Sequence, residues 1–65
     1  MPKYPDITVK LVDVDGNAFS ILGRVSRELR RNGISKNEID QFMTEATSGD
    51  YDHLLQVAGD WVEVE

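Results

Sequence analysis

Cysteine is absent from the 65 residues. This excludes disulfides and thiolate metal sites and removes any sign of redox compartment. No apolar run approaches the roughly 18 residues that span a membrane. The start, Met1-Pro2-Lys3-Tyr4-Pro5-Asp6, has no apolar stretch of the signal-peptide kind. The expectation is a cytoplasmic protein that does not engage membranes. Histidine and tryptophan occur once each. Phosphate loops and Gly-x-Gly-x-x-Gly are missing, and no serine stands in a nucleophile-elbow context. A chain of this length forms one domain, 1–65, and buries only about 60% of its unfolded surface. Its net stability is on the order of 3–5 kcal/mol, which leaves little for a deep cleft or a large cofactor pocket. The sequence therefore predicts no catalytic residues, no metal and no cofactor.

Lysine and arginine are missing from residue 37 onward, and this matters more than the net charge of −5. Residues 1–17 carry Lys3 and Lys10 against Asp6, Asp13 and Asp15, a balance of −1. Residues 18–36 carry Arg24, Arg27, Arg30, Arg31 and Lys36 against Glu28, a balance of +4. Residues 37–65 hold eight acids and no Lys or Arg, a balance of −8. A basic middle thus precedes an acidic end. With 40% hydrophobic and 29% charged residues, the chain is globular rather than disordered.

Residues 1–5 hold both prolines and read as an extended leader. Ile7, Val9 and Leu11 then alternate with Thr8 and Lys10, which predicts a half-buried strand over roughly 6–12. Asp13-Val14-Asp15-Gly16-Asn17 reads as a turn. After the N-cap Asn17, the apolar positions Ala18, Ile21, Leu22, Val25 and Leu29 form one helical face. Arg24, Arg27 and Arg31 lie opposite, flanked by Arg30. Gly23 weakens that helix, so a short strand through Phe19 and Ile21 is the alternative. Asn32-Gly33 is a stop. Ser35 and Glu38 then make a capping box, with Ile34 and Ile39 as the staple. Ile39, Phe42, Met43 and Ala46 are the expected buried stripe of the second helix, which ends near Thr47-Ser48-Gly49. Asp50 caps a third helix with apolar Tyr51, Leu54, Leu55 and Ala58, broken by Gly59-Asp60. Trp61-Val62-Glu63-Val64-Glu65 alternates as a second strand. A lone strand leaves its backbone groups unpaired, so the two strands should pair. The predicted fold is α+β, β-α-α-α-β, three helices packed on a two-stranded sheet of the N- and C-terminal strands.

The strings Tyr4-Pro5-Asp6-Ile7-Thr8-Val9, Asp15-Gly16-Asn17-Ala18-Phe19, Leu22-Gly23-Arg24-Val25 and Ser48-Gly49-Asp50-Tyr51-Asp52-His53-Leu54-Leu55 resemble a family of small bacterial and phage proteins that has no assigned activity. The similarity runs over nearly the whole chain. It implies a single compact domain and brings no functional residues with it.

Four constellations bear on function. Asp13, Asp15 and Asn17 around Gly16 imitate a calcium loop, but Leu11 and Leu22 stand where the first ligand and the bidentate Glu belong. Asp50, Asp52 and His53 gather metal-type ligands, yet no third partner is evident and Asp50 already serves as a cap. The corner from Glu28 to Phe42 imitates a helix-turn-helix. However, Glu38, Asp40 and Glu45 on the would-be recognition helix oppose a polyanion. The arginine face of Arg24, Arg27, Arg30 and Arg31 suits carboxylates or phosphates. Its plain alternatives are a solvated surface or pairing with acids of the second and third helices. Trp61 reads as core or sheet cover and otherwise as a contact anchor. The open sheet edges allow an edge-to-edge homodimer, unless Lys10 and the terminal glutamates protect them. These features predict a non-enzymatic module that binds another protein through the arginine face or the Trp61 end. A nucleic-acid accessory role through the same arginines is the alternative.

Overall fold

The structure is a computed structural model of the chain, described for residues 1–11 and 17–65. Its order is β1 (Tyr4–Val9), α1 (Ala18–Arg31), α2 (Lys36–Ala46), α3 (Tyr51–Trp61) and β2 (Val62–Val64). This is the expected β-α-α-α-β arrangement, with β1 and β2 forming one two-stranded sheet. The strands run parallel, Tyr4 opposite Val62 and Val9 opposite Val64. Parallel pairing requires a crossover, and an odd number of helical legs returns the chain to the end where it began. Glu65 donates its N–H to the Val9 carbonyl at 2.9 Å and accepts from Leu11 N–H at 2.8 Å, extending the ladder past both strands.

All three helix starts are made by the side chains read from the sequence. Asn17 accepts from Phe19 N–H, Ser35 from Glu38 N–H and Asp50 from His53 N–H. Each such cap contributes about 1 kcal/mol. The capping box is only half closed, because the Glu38 carboxylate turns to the first strand instead of back to Ser35. At the α1–α2 corner, Ile34 N–H reaches Leu29 C=O at 3.0 Å and Gly33 N–H reaches Arg30 C=O at 3.0 Å. That pair is a Schellman motif. It places Gly33 at φ 81°, a conformation glycine adopts without a Cβ penalty. The alternative strand through Phe19 and Ile21 is not formed, since both lie in α1.

The core consists of Ile7 and Val9 of β1, Ile21, Leu22, Val25 and Leu29 of α1, Ile39, Phe42 and Ala46 of α2, Leu54, Val57, Ala58 and Trp61 of α3, and Val62. Four expectations are corrected here. The leader contains the start of β1: Tyr4 and Pro5 are strand residues, and Lys3 N–H donates to Asp60 C=O at 2.8 Å. Proline is tolerated because the register breaks between Tyr4 and Thr8. The helix does not stop at Gly59-Asp60 but continues to Trp61, because burying Val57, Ala58 and Trp61 outweighs the weak propensity of one glycine. The buried stripe of α3 is consequently Leu54, Val57, Ala58 and Trp61, while Tyr51 and Leu55 are exposed. Met43 is only half-buried, and its sulfur accepts the Ser26 hydroxyl.

A basic cleft and two neighbouring clusters

The strongly amphipathic α1 puts Ile21, Leu22, Val25 and Leu29 inward, so the arginines between them project outward. Arg24, Arg27, Arg30 and Arg31 are all exposed, as expected for the opposite face. They do not act as one patch. Arg24 and Arg27 turn toward β1, where they line an open cleft of about 420 Å³ with Thr8, Val9, Lys10, Glu28 and Glu65. Arg24 Nη1 donates to the Lys10 carbonyl at 3.1 Å. In an extended strand, alternate residues direct their backbone groups to opposite sides. Val9 and Leu11 serve the ladder to Glu65, so the Lys10 carbonyl lies on the open edge, and Arg24 covers it. Arg31 meets Glu28 of its own helix at 3.6 Å, an exposed pair of the kind worth little. Among the described residues, Arg24 thus reaches the Lys10 carbonyl and Arg31 reaches Glu28, and no arginine pairs with an acid of α2 or α3. Among the described residues, Arg27 and Arg30 have no ion-pair partner. Arg30 borders a separate shallow hollow with Ile34, Lys36, Ile39 and Asp40.

Trp61 sits apart from this cleft. It is 4% exposed, with Phe42 edge-on at 5.7 Å and Tyr4 tilted at 6.0 Å between ring centroids. The Lys3 ammonium lies over its ring at 4.3 Å, close enough for a cation–π attraction. Its indole N–H donates to Glu45 Oε2 at 3.0 Å. Tyr4 hydroxyl donates to Glu38 Oε2 at 2.7 Å, and Lys3 Nζ reaches the same oxygen at 2.7 Å. This polar latch fastens the first strand to α2 and α3. The Lys3 ammonium, then the Tyr4 hydroxyl, hold the Glu38 carboxyl below the ordinary carboxylate range. The hydrogen bond to Glu38 raises Lys3. The same carboxylate, then loss of water, raises Tyr4. Sequence reading missed the latch because Tyr4 lies 34 positions from Glu38 and Lys3 one further. The single signal available was an acid at each of two helical positions one turn-multiple apart, Glu38 and Glu45. Both acids are thereby occupied on the helix once compared with a DNA reader.

His53 also has a structural occupation. Its Nε2 lies 2.9 Å from Glu45 C=O and 3.0 Å from Ser48 Oγ, and Ser48 Oγ donates to the same carbonyl at 2.7 Å. A carbonyl only accepts, so Nε2 carries the proton. The ring therefore closes the end of α2, and Asp50 caps α3. Among the described residues, no three His, Asp or Glu side chains gather as for a metal ion. The calcium-like segment at 13–17 lies, apart from Asn17, outside the described residues. No helix among the described residues is long and apolar enough to cross a membrane.

A further surface was not anticipated. Phe19, on the flank of the α1 stripe, is 83% exposed. It borders an apolar groove of about 250 Å³ with Ala18, Leu22, Ala46, Thr47, Gly49, Asp50, Tyr51 and Leu54. Comparison with known proteins gives no relative: no family model matches the chain, and neither a curated protein nor a solved structure matches it.

Proposed function

We propose that this domain is a non-enzymatic interaction module that binds another protein at the arginine-bearing cleft between α1 and β1. The observation that carries the reading is the convergence of Lys10, just past β1, with Arg24 and Arg27 of α1 on one open cleft. Guanidinium groups pair well with carboxylates in two-point contacts. Glu28 and Glu65 line the same cleft. Mixed charge suits a folded or peptide partner with its own lysines, whereas a phosphate backbone meets those acids unfavourably. The histidine, serine and aspartate most suggestive of chemistry are engaged in closing helix ends, which supports a non-catalytic role.

Arg27→Glu is the cleanest probe, because Arg24 also holds the Lys10 carbonyl. The labelled protein is titrated at low salt with a peptide that alternates glutamate and lysine and, separately, with short single-stranded DNA and RNA. The expected result is that amides of Lys10, Arg24, Arg27 and Glu28 shift with the peptide and that Arg27→Glu abolishes the shifts. Shifts with nucleic acid alone, lost steeply as salt rises, would replace this reading with phosphate binding. Silence with all three probes rejects both.

A further inference from the structure

The chain has asparagine at positions 17, 32 and 37, and glycine follows Asn32 alone. The side-chain amide of an asparagine is open to attack by the backbone nitrogen of the next residue. A Cβ on that residue crowds the attack, and Gly33 has none. Asn32 and Gly33 are both exposed, so water and hydroxide reach them. Asn17 precedes Ala18, and Asn37 precedes Glu38 within α2. Both of those neighbours carry the obstructing Cβ.

The α1–α2 corner keeps the reacting atoms apart. Attack closes a five-membered ring, which requires the Gly33 nitrogen to eclipse Asn32 Cβ about the Cα–C bond. At ψ 13° it lies instead close to eclipsing Asn32's own nitrogen. Ring closure therefore needs a large turn about that bond. Gly33 N–H donates to Arg30 C=O at 3.0 Å and Ile34 N–H to Leu29 C=O at 3.0 Å, so the turn breaks the Schellman pair. Asn32 Nδ2 is itself tied to Glu28 C=O at 2.7 Å. The proton that must leave Gly33 before attack is the one that Arg30 holds.

We infer that Asn32–Gly33 is a site of spontaneous deamidation that the α1–α2 corner holds shut, so that conversion passes through molecules in which the corner has opened. In those molecules hydroxide removes the Gly33 amide proton, and the nitrogen bonds to Asn32 Cγ. The Cγ–Nδ2 bond breaks, and Nδ2 leaves as ammonia with a proton from water. Water then opens the ring at either carbonyl. Opening at Cγ leaves aspartate. Opening at the backbone carbonyl of residue 32 leaves isoaspartate, with the chain running through Cγ. In sum, one amide and one water become one acid and one ammonia. Neither product rebuilds the corner. A carboxylate has no hydrogen to give to Glu28 C=O, and it stands at the end of α1 where the helix is already partly negative. Isoaspartate also lengthens the backbone by one carbon, which displaces Gly33 and Ile34 from their carbonyls.

The full chain is incubated in mildly alkaline buffer with and without unfolding urea, and peptide mass spectrometry follows each asparagine. In urea Asn32 converts before Asn17 and Asn37. In buffer it converts at least about tenfold more slowly than in urea, because the rate follows the open population. Ser35→Ala removes the α2 cap and raises the rate in buffer about fivefold, the factor that loss of one cap gives to an opening equilibrium. Should Ser35→Ala unfold, its rate in buffer rises to the urea rate, which is the same gating at its limit. Asn32→Asp reproduces one product and lowers the urea midpoint of the fold. Equal rates in buffer and urea overturn the gating, as does a Ser35→Ala rate unchanged in buffer. Faster conversion at Asn17 or Asn37 in urea overturns the choice of site. An unchanged midpoint for Asn32→Asp overturns the damage assigned to the product.

Discussion

Replacing Gly49 with alanine should reverse the usual sign of a Gly→Ala exchange. Gly49 joins α2 to α3, and its φ is not in the positive region. An alanine backbone fits there, and the exchange would ordinarily stabilise by about 0.4–1 kcal/mol through the unfolded chain. The added Cβ, however, would lie 2.8 Å from His53 Cγ and 2.9 Å from His53 Cβ. Rotating the ring does not relieve a contact with its own Cβ, so α3 must shift. Ordinary contact begins near 3.4 Å, and the required displacement is about 0.6 Å. His53 Nε2 sits 2.9 Å from Glu45 C=O and 3.0 Å from Ser48 Oγ. A movement of that size takes both beyond good hydrogen-bond distance. Losing one or two such bonds costs roughly 0.5–1.5 kcal/mol each. The net expectation for Gly49→Ala is a destabilisation of about 0.5–2 kcal/mol. Urea unfolding followed by the fluorescence of Trp61 measures it. In a His53→Ala background the obstacle is gone, and the same exchange should be neutral or stabilising. Equal destabilisation in both backgrounds, or stabilisation in the parent, would refute the placement of His53 against Gly49.

Two further outcomes follow from named contacts. Gly23 and Gly59 are exposed helical glycines whose added Cβ meets nothing within 4 Å. Alanine at either position should stabilise by up to about 1 kcal/mol, and a fall in urea midpoint would contradict the helices there. The Lys3–Tyr4–Glu38 latch predicts a pH profile with two limbs. Glu38 has its folded pKa lowered, so its stabilisation is present above the unfolded carboxyl value and is lost as pH falls through the acid range. Lys3 and Tyr4 are raised, so their contribution is complete at neutral pH and disappears as alkali titrates them in the fold. Glu38→Gln should flatten both limbs, and an unchanged profile of urea midpoint against pH rejects the latch.

Local chemistry made much of this molecule legible. Asn17, Ser35 and Asp50 each announced a helix start, because a side-chain oxygen satisfies backbone N–H groups within its own few residues. Gly33 announced the corner for an equally local reason. In α1, Ile21, Leu22, Val25 and Leu29 match the helical period in one way only, and the short strand that Gly23 left open through Phe19 and Ile21 is not formed. In α3 the same template fits twice, as Tyr51, Leu54, Leu55 and Ala58 or, three residues later, as Leu54, Val57, Ala58 and Trp61. Periodicity has no means of choosing between two such faces, and packing against Phe42 and Tyr4 selects the second. Packing likewise carries the helix through Gly59.

The candidate surfaces divide in the same way. That α1 presents arginines outward was written in the spacing of Arg24, Arg27 and Arg31. Which of them share a cleft depended on where β1 lies, and that is a relation between distant segments. The parallel sense of the sheet, the latch from Lys3 and Tyr4 to Glu38, and the exposure of Phe19 are relations of the same kind. Sequence by itself determined the elements, their caps and the basic character of α1, because those follow from interactions within a turn or two of helix. Only the tertiary structure decided which apolar residues are covered and which charges meet, because burial and ion pairing depend on segments that folding brings together from far apart in the chain.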